Sequence, residues 1–207
     1  MSDLWSTIAR ERGALADDLE GLADDRWQTR SLCTEWTVRD ALAHMASTAQ
    51  MTPGKFFAGF AGAGFSFSKF SRKGIQRHLG ATPADTLATF RSFQHSTSSP
   101  PGPKVSWLGE TVIHAEDIRR PLGIAHTYDA DAVRQVADFY KGSNTLIGAK
   151  NRVAGLRLAA TDTDWKHGDG PEVRGPLLSL LMAMTGRSVA CDDLTGEGVG
   201  TLRRRCT

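Results

Sequence analysis

Glu110 and His114 stand four residues apart in VSWLGETVIHAEDIRRPLG, residues 105–123. At about 100° per residue a helix carries both side chains on one face, where they can share a ligand. Leu108, Val112 and Ile113 surround them with apolar neighbours, so the face is expected to point inward, where an unpaired carboxylate is costly. A divalent ion bound by the carboxylate and the imidazole would neutralise Glu110, and it requires another donor. The best donor is His44, in TVRDALAHM. A Glu and a His at this spacing can also form a plain hydrogen-bonded pair or face solvent. The second inward histidine favours the ion.

These residues need helices to position them. Leu4, Ile8, Leu15, Leu19 and Leu22 fall on one stripe with Arg10, Glu11, Asp17 and Asp18 opposite, which predicts an amphipathic helix over 3–24. Thr37 and Asp40 form a capping-box pattern opening a second helix over 38–50, with Asp40, His44 and Ser47 on a shared face. Residues 52–74 mix five glycines with six phenylalanines, predicting a loop or broken helix folded over the bundle. Thr82, Pro83 and Asp85 open a helix to about residue 94, and the central stretch forms the next, ending at Pro121 or Gly123. A further helix covers 129–142. Beyond it GLRLAATD reads as a strand, DTDWKHGDGP as a turn-rich hairpin connection, EVRG as a second strand and PLLSLLMAMTG as a buried helix. The expected fold is mainly α: an antiparallel four-helix bundle with an internal metal site over residues 1–150, and a small α/β appendage, 151–207, packing on it. Neither the strand pattern nor the apolar helix of that appendage is suited to exposure.

Composition narrows the function classes. Of the 207 residues 40% are apolar and 23% charged, which is ordinary for a globular chain. A net charge of +2 with scattered arginines gives no sign of a nucleic-acid or membrane partner. Cys33, Cys191 and Cys206 are too few and too far apart for a disulfide framework or a CxxC site, so a reducing cytoplasm is expected. The start, MSDLWSTIARERGALADDLE, has no apolar run long enough for a signal peptide or a membrane span. Arginine outnumbers lysine and Ala and Gly abound, as in a high-GC bacterial source.

Three stretches, SLCTEWTVRDALAHM, GETVIHAEDIRRPLG and LRLAATDTDWKHGDGPEVRGPLLSLLMAMTGR, give the chain its resemblance to the mycothiol-dependent maleylpyruvate isomerase family of DinB/YfiT-like metal-binding bundles. The resemblance implies that His44, Glu110 and His114 are metal ligands, that zinc is the expected ion and that mycothiol is the cofactor. Two histidines and one carboxylate leave a coordination position for water or substrate, and iron or nickel suits the same donors. Asp117 stays near the ligand face. It can orient a ligand, accept a proton, or pair with Arg119 or Arg120. Asp40 is expected to cap, and Cys33 to fill space. His78, His95, His126 and His167 are expected at the surface. Substrate carboxylates call for a fixed cation, with Arg187 the first candidate and Arg174 and Arg119 behind it. The implied activity is metal-dependent isomerisation or S-transfer on a small electrophile by a monomer or homodimer. The alternative is a non-catalytic metal-binding or small-ligand-binding bundle with a stress or regulatory role.

Overall fold

The computed structural model describes residues 3–33, 35–145 and 147–206. The chain divides into two compact units, Met1–Thr127 and Tyr128–Thr207. Among the described residues no helix is long and apolar enough to cross a membrane.

In the first unit the amphipathic segments form α1 (Leu4–Asp18), α2 (Val38–Ala49), α3 (Pro53–Gly62), α4 (Phe67–His78), α5 (Pro83–Ser92) and α6 (Lys104–Leu122). Helices α1 and α2 each pack on both α5 and α6, which closes a four-helix bundle. Its core takes Leu15 and Leu19 from α1 and its end, Leu42 and Met45 from α2, Phe90 from α5, and Ala115 and Ile118 from α6. The first helix ends earlier than its apolar stripe, with Leu19 as its C-cap and Gly21 turning the chain at φ 69°; a 3-10 turn over Asp24–Gln28 follows and buries Trp27. The capping box at Thr37 and Asp40 forms as expected, and Thr82 and Asp85 make a second one.

Residues 52–74 take the second of the two expected forms, a helix broken by a turn. Thr52 and Ser66 cap two separate helices, and Gly64 and Phe65 turn the chain between them with positive φ. Glycine lets these helices approach closely. A Cβ on Gly59 would lie 2.8 Å from the Phe70 ring, and one on Gly74 would lie 2.5 Å from Ser47 Oγ on α2.

The second unit contains α7 (Ala130–Tyr140), α8 (Ala149–Val153), β1 (Arg157–Ala160), β2 (Lys166–His167), β3 (Glu172–Gly175), α9 (Leu177–Met184) and α10 (Val199–Arg204). Helix α9 is apolar all round because α7, β1 and β3 all cover it. The hairpin reading of 162–171 needs correction. Lys166 and His167 form a strand antiparallel to β1, and EVRG pairs with the other edge of β1 in parallel, giving the order β2-β1-β3. To reach that edge the chain crosses the start of β1 at Gly168 and Gly170, whose φ values are 75° and 127°. A Cβ at either position would collide with the carbonyls of Leu156 and Gly155, so only glycine permits the crossing.

Candidate metal centre

The ligand face of α6 meets α2 inside the first unit. One ligand atom from each of His44, Glu110 and His114 lies within 4.8 Å of the others, close enough for one ion to gather. The two imidazole centroids are 5.0 Å apart, and the Trp36 ring lies 4.6 Å from His44 and 6.0 Å from His114. All three candidate ligands are partly buried.

The segment carrying Trp36 is held by a bond that α6 itself makes available. Pro121 lies in the last turn of α6 and has no N–H, so the carbonyl of Asp117 lacks its helical donor. The backbone N–H of Leu32 donates to that carbonyl at 3.0 Å. An isolated bridge between Arg30 and Thr37 and a 2.9 Å bond from Ser31 Oγ to the Trp36 carbonyl fix the rest of the loop. Cys33 is thereby placed in the site, which its reading as filler did not foresee. Its Sγ donates to Asp117 Oδ2 at 2.9 Å and lies 3.5 Å from His114 Nδ1.

Asp117 pairs with His114. Its Oδ2 is 2.9 Å from His114 Nδ1, while Arg119 pairs with Asp18 at 2.6 Å and Arg120 with Glu116 at 3.0 Å. With Nδ1 committed to Asp117, His114 keeps Nε2 for an ion, the arrangement by which a carboxylate fixes a ligating imidazole. Cys33, His114 and Asp117 form a second group of possible donors within 4.8 Å. In that group the aspartate already has hydrogen-bond partners, whereas in the first the Glu110 Oε1 atom is buried without one. A carboxylate with one buried oxygen orphaned, reaching within 4.8 Å of two imidazole nitrogens, fits a divalent ion.

The protonation states favour coordination at His44. Burial, helped by the neighbouring His114 cation, outweighs the attraction of Asp117 and pushes His44 down to about 3, leaving it neutral with a lone pair. Burial also raises Glu110 above the usual carboxylate range, against the pull of His114, Arg12 and a hydrogen bond from Thr48. For His114 burial opposes the charge, but Cys33 and the Asp117 carboxylate prevail and push it up to about 10. A base whose folded pKa is raised lends stability in full below its ordinary value and loses it as pH climbs through the folded one. In chelator, the melting temperature should therefore fall as pH rises from 6.5 to about 10. The same profile measured on His114→Ala should be flatter across this window. Equal slopes in the two proteins would rule out His114 as the source.

The arginine candidates differ in their settings. Arg119 is wholly buried and engaged by Asp18, and Arg174 is exposed on β3. Arg187 belongs to the second unit, where its Nη1 donates to the Thr185 carbonyl at 2.9 Å. A cation that the sequence reading did not single out acts on the cluster: Arg12, buried on α1, donates to the carbonyls of Phe93 and Ser96 at 3.3 and 3.0 Å and acts electrostatically on Glu110. His78 is buried rather than at the surface, with Nδ1 2.8 Å from the Gly74 carbonyl and Nε2 2.5 Å from the Gln50 amide.

Fold and site together define a four-helix bundle with a histidine and carboxylate cluster inside it. Residues 8–99 match the family model of the mycothiol maleylpyruvate isomerase N-terminal domain. Two crystal structures share its fold. The mycothiol-dependent maleylpyruvate isomerase matches at 17% identity and a TM-score of 0.62, over 94% of this chain and 91% of that one. A histidine-to-alanine mutant of that isomerase matches at 16% identity, with the same TM-score of 0.62 and the same coverage of 94% and 91%. At these identities the likeness is one of fold. No curated protein matches the chain.

Proposed function

We propose that this protein is a metal-dependent enzyme that uses a low-molecular-weight thiol to isomerise, or transfer sulfur to, a small electrophilic substrate. The observation that carries the reading is Glu110, which leaves its buried Oε1 unpartnered and brings a carboxylate oxygen within 4.8 Å of a ring nitrogen of each of two imidazoles. The family-model match and the fold neighbours support mycothiol as the thiol and isomerisation as the reaction. His44, Glu110 and His114 hold the ion, with zinc the ion these donors suit best. A bound divalent ion would supply Lewis acidity to a thiol whose ordinary pKa, near 8.5, keeps it mostly protonated at neutral pH. The chain's own residues then have limited tasks. Asp117 positions His114, the Trp36 ring walls the cluster, and Arg12 offsets the charge of Glu110. Arg187 is assigned to substrate carboxylates on residue type alone.

A second reading rests on the Cys33 contacts: a thiol beside a histidine and an aspartate can itself act as a nucleophile. One assay separates the two. Turnover of maleylpyruvate should require both the ion and added mycothiol, and should survive in Cys33→Ser. Activity that persists in chelator, or that disappears in a folded Cys33→Ser protein while the ion remains bound, would replace the first reading with the second.

A further inference from the structure

Helices α2, α3 and α4 enclose a cleft of about 560 Å³, which no residue of the His44, Glu110, His114 cluster lines. This volume lies within the range of small-molecule sites. Its walls combine two chemistries. Lys55, Lys73 and Arg77 bring three cations to it, while Met51, Phe70 and Ala58 make an apolar side. The floor is polar and fixed: His78 gives its Nδ1 hydrogen to the Gly74 carbonyl, so Nε2 accepts from the Gln50 amide.

The charge here is unbalanced. No aspartate or glutamate occurs between Asp40 and Asp85, and this stretch also contributes Lys69 and Arg72. Among the described residues no carboxylate pairs with Lys55, Lys73 or Arg77; the one bond to a protein acceptor is that from Lys73 Nζ to the Gly62 carbonyl at 2.9 Å. A solvated basic face would account for the cations, but not for their convergence on a concave wall with an aromatic ring. We propose that this cleft binds a small organic anion with a flat apolar body, its anionic groups held by Lys55, Lys73 and Arg77 and its body lying against Phe70 and Met51. The site does not depend on the proposed ion.

Phthalate serves as the probe, with its neutral diamide and inorganic phosphate as controls, added to the full chain in chelator and followed by calorimetry. Phthalate should bind saturably, more weakly as ionic strength rises, and more tightly than either control. The double variant Lys55→Gln, Arg77→Gln removes two charge-assisted contacts and should weaken binding by about tenfold or more. Gly62→Leu provides a second, steric test. A Cβ there meets nothing within 4 Å, so the side chain can enter the cleft without disturbing the helix and should block phthalate. Phthalate binding that is unsaturable, or unchanged in both variants, would overturn the proposal, as would phosphate or the diamide binding equally well. Phe57, Phe65 and Phe67, on α3, α4 and the turn between them, are exposed. If the protein bound phosphatidylglycerol vesicles and no soluble anion, the face would be a membrane contact and the small-molecule site would be wrong.

Discussion

Glu110→Gln is expected to abolish ion binding while raising the stability of the protein in chelator. The carboxylate is costly where it lies, because burial raises its pKa and Oε1 finds no donor. An isosteric amide carries no charge and removes most of that penalty, a gain of about 1–3 kcal/mol. Arg12 would lose its favourable neighbour, but its bonds to the Phe93 and Ser96 carbonyls remain, so it stays anchored. The ion loses its sole anionic ligand, which should weaken binding on the order of a hundredfold or more. Wild-type protein should gain about 2.7 kcal/mol from an ion supplied at a hundred times its dissociation constant, and the variant almost nothing. Thermal melts with and without Zn²⁺ read both effects. If the variant melted below wild type in chelator, or kept the full gain from zinc, Glu110 would be neither an unsatisfied group nor a ligand.

The ligand candidates were legible in the sequence because helical periodicity converts spacing directly into a shared face. Glu110 with His114 on α6 and the capped start of α2 needed no tertiary information. What surrounds them was less accessible. Cys33 and Trp36 reach the site through a loop whose position depends on a bond between residues far apart in sequence, from Leu32 N–H to the Asp117 carbonyl. Pro121 reads as a helix stop, whereas its missing N–H is what frees that carbonyl. Arg12 stands four residues after Ile8 and Glu11 four before Leu15, so both border the apolar stripe of α1 and are buried, where carbonyls after α5 and the His126 ring receive them. His78 follows the same logic: the carbonyl one turn back and the Gln50 amide satisfy it locally, so it can be buried. In the second unit the strand segments were legible but their pairing was not. Parallel pairing of β1 and β3 depends on two glycines whose local signal is simply that of a turn.

Asp117→Asn is expected to change the pH dependence of ion binding as well as its strength. An ion needs the Nε2 lone pair of His114, so the imidazolium must give up a proton, and with its pKa pushed up to about 10 that proton is present at neutral pH. His44, pushed down to about 3, is already neutral and releases none. Affinity in the wild type should therefore rise about tenfold per pH unit between roughly pH 6 and 8, with at least one proton released per ion, measurable by calorimetry in buffers of different ionisation enthalpy. Asparagine can still accept from Nδ1–H but carries no charge, so His114 becomes easier to deprotonate. The pH dependence should flatten and fewer protons should be released. Loss of a charged partner to the ligating imidazole should at the same time lower the affinity at high pH by about 10–100-fold. The two changes separate a positioning role from a direct one. If Asp117 acted only on substrate, turnover would fall while ion affinity and proton release stayed at their wild-type values, and the bond from His114 Nδ1 to Asp117 Oδ2 would not be what prepares this histidine for an ion.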